Sequence, residues 1–144
     1  MRVQVIGAGQ THVGVVPGLN LGPGSGPDLA PPATYAGWSP RCTLGADSPG
    51  GLALPSAQPS ASTLYAPRGV WTDGTRVVVA DSGNHRVLIW DRVPDADGIP
   101  ADVVLGQPDP QAEGPAAGGR GPANGFHLPT GVLVHEGRLI VADA

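Results

Sequence analysis

The sequence predicts an all-β protein built from short antiparallel strands, and three observations lead to that reading. Apolar residues crowd into runs of about four to six residues rich in Val, Ile and Trp, such as Val77-Val78-Val79 and Val87-Leu88-Ile89-Trp90, a length and composition that favour strands over helices. Gly and Pro number 23 and 17 among 144 residues, and each Pro inside a helix costs ~3 kcal/mol, so no helix of useful length fits between them. The third observation is a stretch of chain that occurs twice at fixed separation, the mark of a repeat architecture.

Within one repeating unit four strands are predicted, at Gly69–Thr72, residues 76–80, Arg86–Trp90 and residues 102–105. Asp73-Gly74 separates the first pair and Asp81-Ser82-Gly83-Asn84 the second. Both are hairpin chemistry, because Gly and Asn tolerate the positive φ that tight turns require. A Pro-, Asp- and Gly-rich connection over residues 91–101 leads to the last strand. Upstream, residues 3–6 and 13–16 have strand composition within a segment otherwise made of Gly, Pro and small residues.

The repeat fixes how these strands are organised. Leu64-Tyr65-Ala66-Pro67-Arg68-Gly69-Val70-Trp71 aligns without a gap on Phe126-His127-Leu128-Pro129-Thr130-Gly131-Val132-Leu133, and Arg76-Val77-Val78-Val79-Ala80-Asp81 aligns on Arg138-Leu139-Ile140-Val141-Ala142-Asp143. Pro67 and Pro129, Gly69 and Gly131, and Asp81 and Asp143 are each 62 positions apart. A weaker echo pairs Leu44-Gly45 with Leu105-Gly106, 61 positions on. Loops rich in Ser, Ala, Gly and Pro follow each echo, over residues 48–63 and 110–125.

A four-stranded antiparallel meander repeated along a chain is the sequence form of a β-propeller blade. The expected architecture is therefore a partial propeller of about two blades. It divides into an unassigned segment 1–40, a strand plus loop at 41–63, a complete blade at 64–109, a loop at 110–125 and a truncated blade at 126–144. Alone, such a blade buries apolar surface on one side only, so flanking copies are expected to cover its faces.

The run Val79-Ala80-Asp81-Ser82-Gly83-Asn84-His85-Arg86-Val87-Leu88-Ile89-Trp90 closely resembles the signature of NHL repeats, with Asn84-His85-Arg86 in place of the triplet that names the family. Pro67-Arg68-Gly69-Val70 resembles the family's opening, and Asp102-Val103-Val104-Leu105-Gly106-Gln107-Pro108-Asp109 looks like the inter-blade stretch of long-repeat bacterial members. The resemblance spans residues 41–144. It implies a non-enzymatic propeller scaffold that binds a protein or small ligand, with further blades in cis. The sequence ends at Ala144, just where a second Gly-Asn-His-Arg would begin, so the chain reads as a truncated gene or a fragment of a longer propeller. The alternative that the resemblance offers is part of a propeller enzyme, of the lactonase or lyase kind, in which His and carboxylates from separate blades hold a metal on the axis.

Asp81, Asn84, His85 and Arg86 form the most polar cluster in the sequence. As chemistry, Asp81 and His85 would be metal ligands or an acid–base pair. As architecture, Asp81 accepts hydrogen bonds from the turn's own N–H groups and Arg86 pairs with a carboxylate. The return of Asp143 at the equivalent place favours architecture. The residues singled out are thus a structural repeat motif: Pro67, Gly69, Asp81, Gly83, Asn84, His85, Arg86, Trp90, Pro129, Gly131 and Asp143. Trp71 and Trp90 are expected to pack between blades, and Cys42, the lone cysteine, to be a small buried apolar residue.

No catalytic, cofactor-binding or metal-ligating residue is assigned. His12, His127 and His135 lack a partner at a metal-ligand spacing. Val5-Ile6-Gly7-Ala8-Gly9-Gln10-Thr11-His12 begins like a dinucleotide-binding turn, but His12 stands where the third glycine belongs and no helix follows. The eight basic residues, all Arg, are scattered through a chain of net charge −4, so nucleic acid is not an expected partner. No run approaches the ~20 apolar residues of a membrane span, and the first residues lack a signal-peptide core, so a cytoplasmic protein is expected if Met1 is the true start.

Overall fold

A computed structural model describes residues 3–8, 38–45 and 58–144. Among them the chain is all-β, in three antiparallel sheets. Strands β1 (Val3–Ala8) and β2 (Trp38–Leu44) form a pair. Strands β3 (Gly69–Thr72), β4 (Val77–Asp81), β5 (Arg86–Trp90) and β6 (Val103–Leu105) form a four-stranded meander in chain order. Strands β7 (Pro129–His135) and β8 (Arg138–Asp143) form the third sheet. The expected segment 13–16 and His12 lie outside the described residues.

β3 and β5 have the bounds expected from their apolar runs, while β4 and β6 start one residue later than expected. β2 runs across residue 40, where the sequence placed a boundary, and its partner is the N-terminal strand. That antiparallel partner also separates β1 from the parallel strand–helix unit of a dinucleotide site. The loop 110–125 holds one short helical turn, Pro115–Gly119, whose Ala116, Ala117 and Gly118 have left-handed dihedrals.

Side chains alternate between the faces of a strand. On one face of the meander Val77, Val79 and Asp81 stand opposite Trp90, Leu88 and Arg86, and on the other Val78 and Ala80 stand opposite Ile89 and Val87. The first face packs with Cys42, Leu44 and Leu64 into the hydrophobic core, which also takes in Val77, Val79, Leu88 and Trp90. β7 lies against β3 and β4, and Val78, Ala80 and Val87 are buried with it. β4 is consequently buried along its whole length. The sheet is covered on both faces, because β2 and β7 come from stretches flanking it in the chain.

The turns correct one expectation. Gly74 has φ +85 as its turn requires, but in the second connection the positive φ belongs to His85, at 55°, and not to Gly83 or Asn84. A short 3-10 turn, Ser82–Asn84, precedes it. Gly83 is instead needed for close approach, since a Cβ there would lie 2.6 Å from the Tyr65 carbonyl oxygen.

The two copies of the repeat share one register. Gly69, Val70 and Trp71 face Ala80, Val79 and Val78, and Gly131, Val132 and Leu133 face Ala142, Val141 and Ile140. The Leu-Gly echo has a common contact as well: a Cβ on Gly45 would collide with Leu64, and one on Gly106 with Phe126, the residue equivalent to Leu64.

The copies meet where Gly69 touches the backbone of β7. A Cβ on Gly69 would sit 2.8 Å from the Thr130 oxygen and 3.0 Å from the Gly131 Cα, and neither backbone atom can rotate away. Gly69→Ala is expected to lower stability by about 1–3 kcal/mol through overpacking, read as a lower urea midpoint at unchanged slope. Gly74→Ala, with open space around it, is expected to act through backbone strain alone and leave the β3–β7 contact intact.

Candidate functional site

The most concentrated polar chemistry lies at the end of β4 and the start of β5. Pairing of Asp81 with Arg86 closes the β4–β5 ladder and brings both side chains to the same face. Arg86 Nε donates to Asp81 Oδ2 at 2.8 Å, and neither side chain has any solvent exposure. Asn84 Nδ2 donates to the same oxygen at 2.8 Å. Oδ1 accepts the Tyr65 N–H at 2.6 Å. Burial pushes the Asp81 carboxyl above its ordinary 3.8, while the bonds from Asn84, Arg86 and Tyr65 pull it back down.

These partners differ from the ones the sequence suggested. The turn's own N–H groups turn elsewhere: Gly83 N–H donates to the Tyr65 oxygen at 2.8 Å and His85 N–H to the Ser82 oxygen at 3.1 Å. Asp81 therefore ties its turn to the segment leading into β3, 16 residues earlier. Arg86 finds its carboxylate in Asp81 itself.

The rest of the Arg86 guanidinium holds two loops. Nη1 donates to the Pro110 oxygen at 2.7 Å, and Nη2 to the Ser60 and Thr63 oxygens at 2.8 and 2.9 Å. The loop entering the meander and the loop leaving it are thus pinned to one cation. Only the planar fork of an arginine reaches four acceptors in this way.

Gln107 is the partner that sequence reasoning missed. Its Nε2 donates to the Asn84 oxygen at 3.0 Å and to the Gly114 oxygen at 2.9 Å, and its Oε1 is buried without a hydrogen-bond partner among the described residues. Its place in the Leu105-Gly106-Gln107-Pro108-Asp109 run was visible, but nothing local says that it reaches back across the sheet.

The motif residues of the second copy sit alongside. Asp143 accepts from the Leu128 N–H at 2.7 Å and the His127 N–H at 2.9 Å, as Asp81 accepts from Tyr65, the counterpart of His127. Pro67 and Pro129 are fully buried. Ser82 Oγ donates to the Pro129 oxygen, and His85 Nδ1 contacts the His127 oxygen. The rings of His85 and His127 stand 6.1 Å apart, tilted by 45°. Trp90 is buried in the core with its indole N–H on the Ile99 oxygen at 3.0 Å, whereas Trp71 is half-buried.

Elsewhere, Cys42 is buried, its thiol donating to the Pro94 oxygen at 3.1 Å, and burial pushes that thiol up from 9.0. Hydrogen bonds from Arg76 and Thr75 N–H lower the Asp73 carboxyl in the exposed β3–β4 turn. An open depression of about 400 Å³ lies beside the β5–β6 connection, lined by Trp90, Asp91, Val93, Pro94, Ile99 and Asp102 among others. Among the described residues no group of three or more His, Cys, Asp or Glu converges as metal ligands, and no helix is long and apolar enough to cross a membrane.

Comparison with protein-family models, with curated proteins and with solved structures finds no match to this chain.

If Asp81 and Arg86 serve architecture, removing one must expose the cost of the other. Arg86→Met leaves the carboxylate buried without its cation and is expected to cost about 3–5 kcal/mol, measured by urea unfolding. His85→Ala, at a half-buried ring, is expected to cost about 1 kcal/mol, the net value of one hydrogen bond. Equal losses at the two positions would contradict this division of roles.

Proposed function

We propose that this chain supplies successive blades of an NHL-type β-propeller, a non-enzymatic scaffold whose loops capture a protein or a small ligand. The observation that supports it most is recurrence: the same hairpin register and the same carboxylate-to-backbone contact return after 62 residues. A four-stranded meander with further sheets packed on its faces is what a radial propeller requires. Catalysis would need a cluster of reactive groups open to substrate. Asp81 and Arg86 instead spend their polar atoms on one another and on the backbone.

Binding then falls to the connections, which vary freely on a rigid frame. Residues 91–101 border the depression beside Trp90, and residues 110–125 surround the left-handed turn. Further blades in cis would complete the ring.

Exchange of the exposed side chains of Arg92, Asp95 and Ile99 in one connection and of Gln111, Glu113 and Arg120 in the other for Ser, in a version carrying a full set of blades, tests this. Partner or ligand capture is expected to be lost while the thermal midpoint holds. Capture that survives both exchanges removes these loops from the binding surface.

A further inference from the structure

Asp73-Gly74, Asp97-Gly98 and Asn124-Gly125 are the steps at which an acid or its amide precedes glycine, and the last is the one Asn-Gly in the sequence. At such a step the glycine nitrogen can close on the preceding side-chain carbonyl carbon, because no Cβ obstructs the approach. The fold treats the three differently. Gly74 N–H donates to Thr72 Oγ1 at 3.0 Å, and Asp73 Oδ1 accepts from Thr75 and Arg76 N–H at 2.8 and 2.7 Å, so both reacting groups are held. Asp97 Oδ1 accepts the Thr43 N–H at 2.6 Å. Both are also carboxylates, whose negative charge repels a nucleophile.

Asn124 has neither protection. It is exposed and its amide is neutral, and among the described residues the Gly125 N–H has no hydrogen-bond partner. One bond restrains the side chain, from Nδ2 to the Arg120 oxygen at 2.8 Å. Water replaces an exposed bond of this kind at little net cost, and the bond engages the leaving nitrogen, not the carbon under attack. Asn84 is the contrast: it is buried, its Nδ2 donates to Asp81 Oδ2 at 2.8 Å, and His85 follows it.

Gly125 sits where added backbone has no room. A Cβ there would stand 2.6 Å from the Gly106 oxygen and collide with the Ala117 backbone nitrogen. Phe126, the next residue, packs on Gly106 and accepts the Ala116 N–H at 2.9 Å. These contacts clasp the end of the 110–125 loop to the residue after β6, three residues before β7 begins.

We infer that Asn124 is a self-modification site, converted to isoaspartate through a succinimide with Gly125, and that the conversion opens the Gly106–Gly125–Phe126 clasp ahead of β7. The Gly125 nitrogen gives its proton to solvent and bonds to Asn124 Cγ; the Cγ–Nδ2 bond breaks and Nδ2 leaves as ammonia. Water, the sole co-reactant, then adds to one of the two imide carbonyls. Opening at Cγ yields aspartate. Opening at the backbone carbonyl frees that carbon as a carboxylate and routes the main chain through Cβ and Cγ, one backbone atom longer. Both products add a negative charge to the loop, and only isoaspartate lengthens the chain beside the clasp.

Peptide mapping by mass spectrometry on the 144-residue chain, held at mildly alkaline pH, tests the site. Residue 124 is expected to gain the mass of an NH2-to-OH exchange, with isoaspartate exceeding aspartate, while Asn84 keeps its amide. Asn124→Gln, which must close a larger ring, is expected to lose the gain. An Asn124 that keeps its amide in the folded chain, whatever the chain does in urea, overturns the site, as does a gain undiminished in Asn124→Gln. Hydrogen exchange tests the clasp: the isoaspartyl form is expected to exchange faster at the Ala116 amide and across β7 than Asn124→Asp, which carries the charge alone. Equal exchange in the two overturns the opening.

Discussion

Asp81 and Arg86 face each other at the closed end of the β4–β5 ladder with no access to water, and the loops on either side of the meander are arranged around them. A buried ion pair is weak evidence for stability, because desolvation offsets much of the attraction. Its value here lies in what else it satisfies. Arg86 reaches the Ser60, Thr63 and Pro110 oxygens, and Asp81 takes the Tyr65 N–H and the Asn84 amide. Irregular segments cannot pair those backbone groups in a ladder, and leaving such a group buried and unpaired costs about 1–3 kcal/mol. Gln107 extends the arrangement by donating to Asn84 and Gly114.

Once those loops are pinned, the packing of the flanking sheets follows. The short approach from Ser60 and Thr63 delivers Leu64 to the core beside Cys42 and Leu44. Departure past Pro110 carries the chain round to Pro129, so that β7 crosses β3 and β4. The meander thereby gains apolar neighbours on both faces, and full burial of each Val or Leu contributes about 1.5–3 kcal/mol.

Much of this was legible from composition and spacing. The short apolar runs before Asp73-Gly74 and after Ser82-Gly83-Asn84 place β3 and β5 at their observed bounds, because strand composition and turn chemistry are both local. The nearness of Asp81, Asn84 and Arg86 was legible, and their side chains meet in hydrogen bonds, whereas His85, in the same sequence cluster, turns to the His127 oxygen. The wiring around the cluster was not legible. Tyr65 meets Asp81 through a backbone N–H that any residue would supply, so its identity gives no signal. Gln107 acts from 22 and 23 residues away on the oxygens of His85 and Asn84. The left-handed φ fell on His85, because Gly83 was already committed to close contact with Tyr65.

The sequence by itself determined which runs form strands, where the chain turns, and that one unit returns after 62 positions. These depend on neighbours along the chain and on the steric limits of individual residues. Only the tertiary structure decided that β1 pairs with β2 across some thirty intervening residues, that β2 and β7 are the strands that cover the meander, and that a single arginine joins the loops before and after it. Those outcomes follow from competition among distant groups for buried hydrogen bonds and apolar cover, and no local pattern encodes the winner.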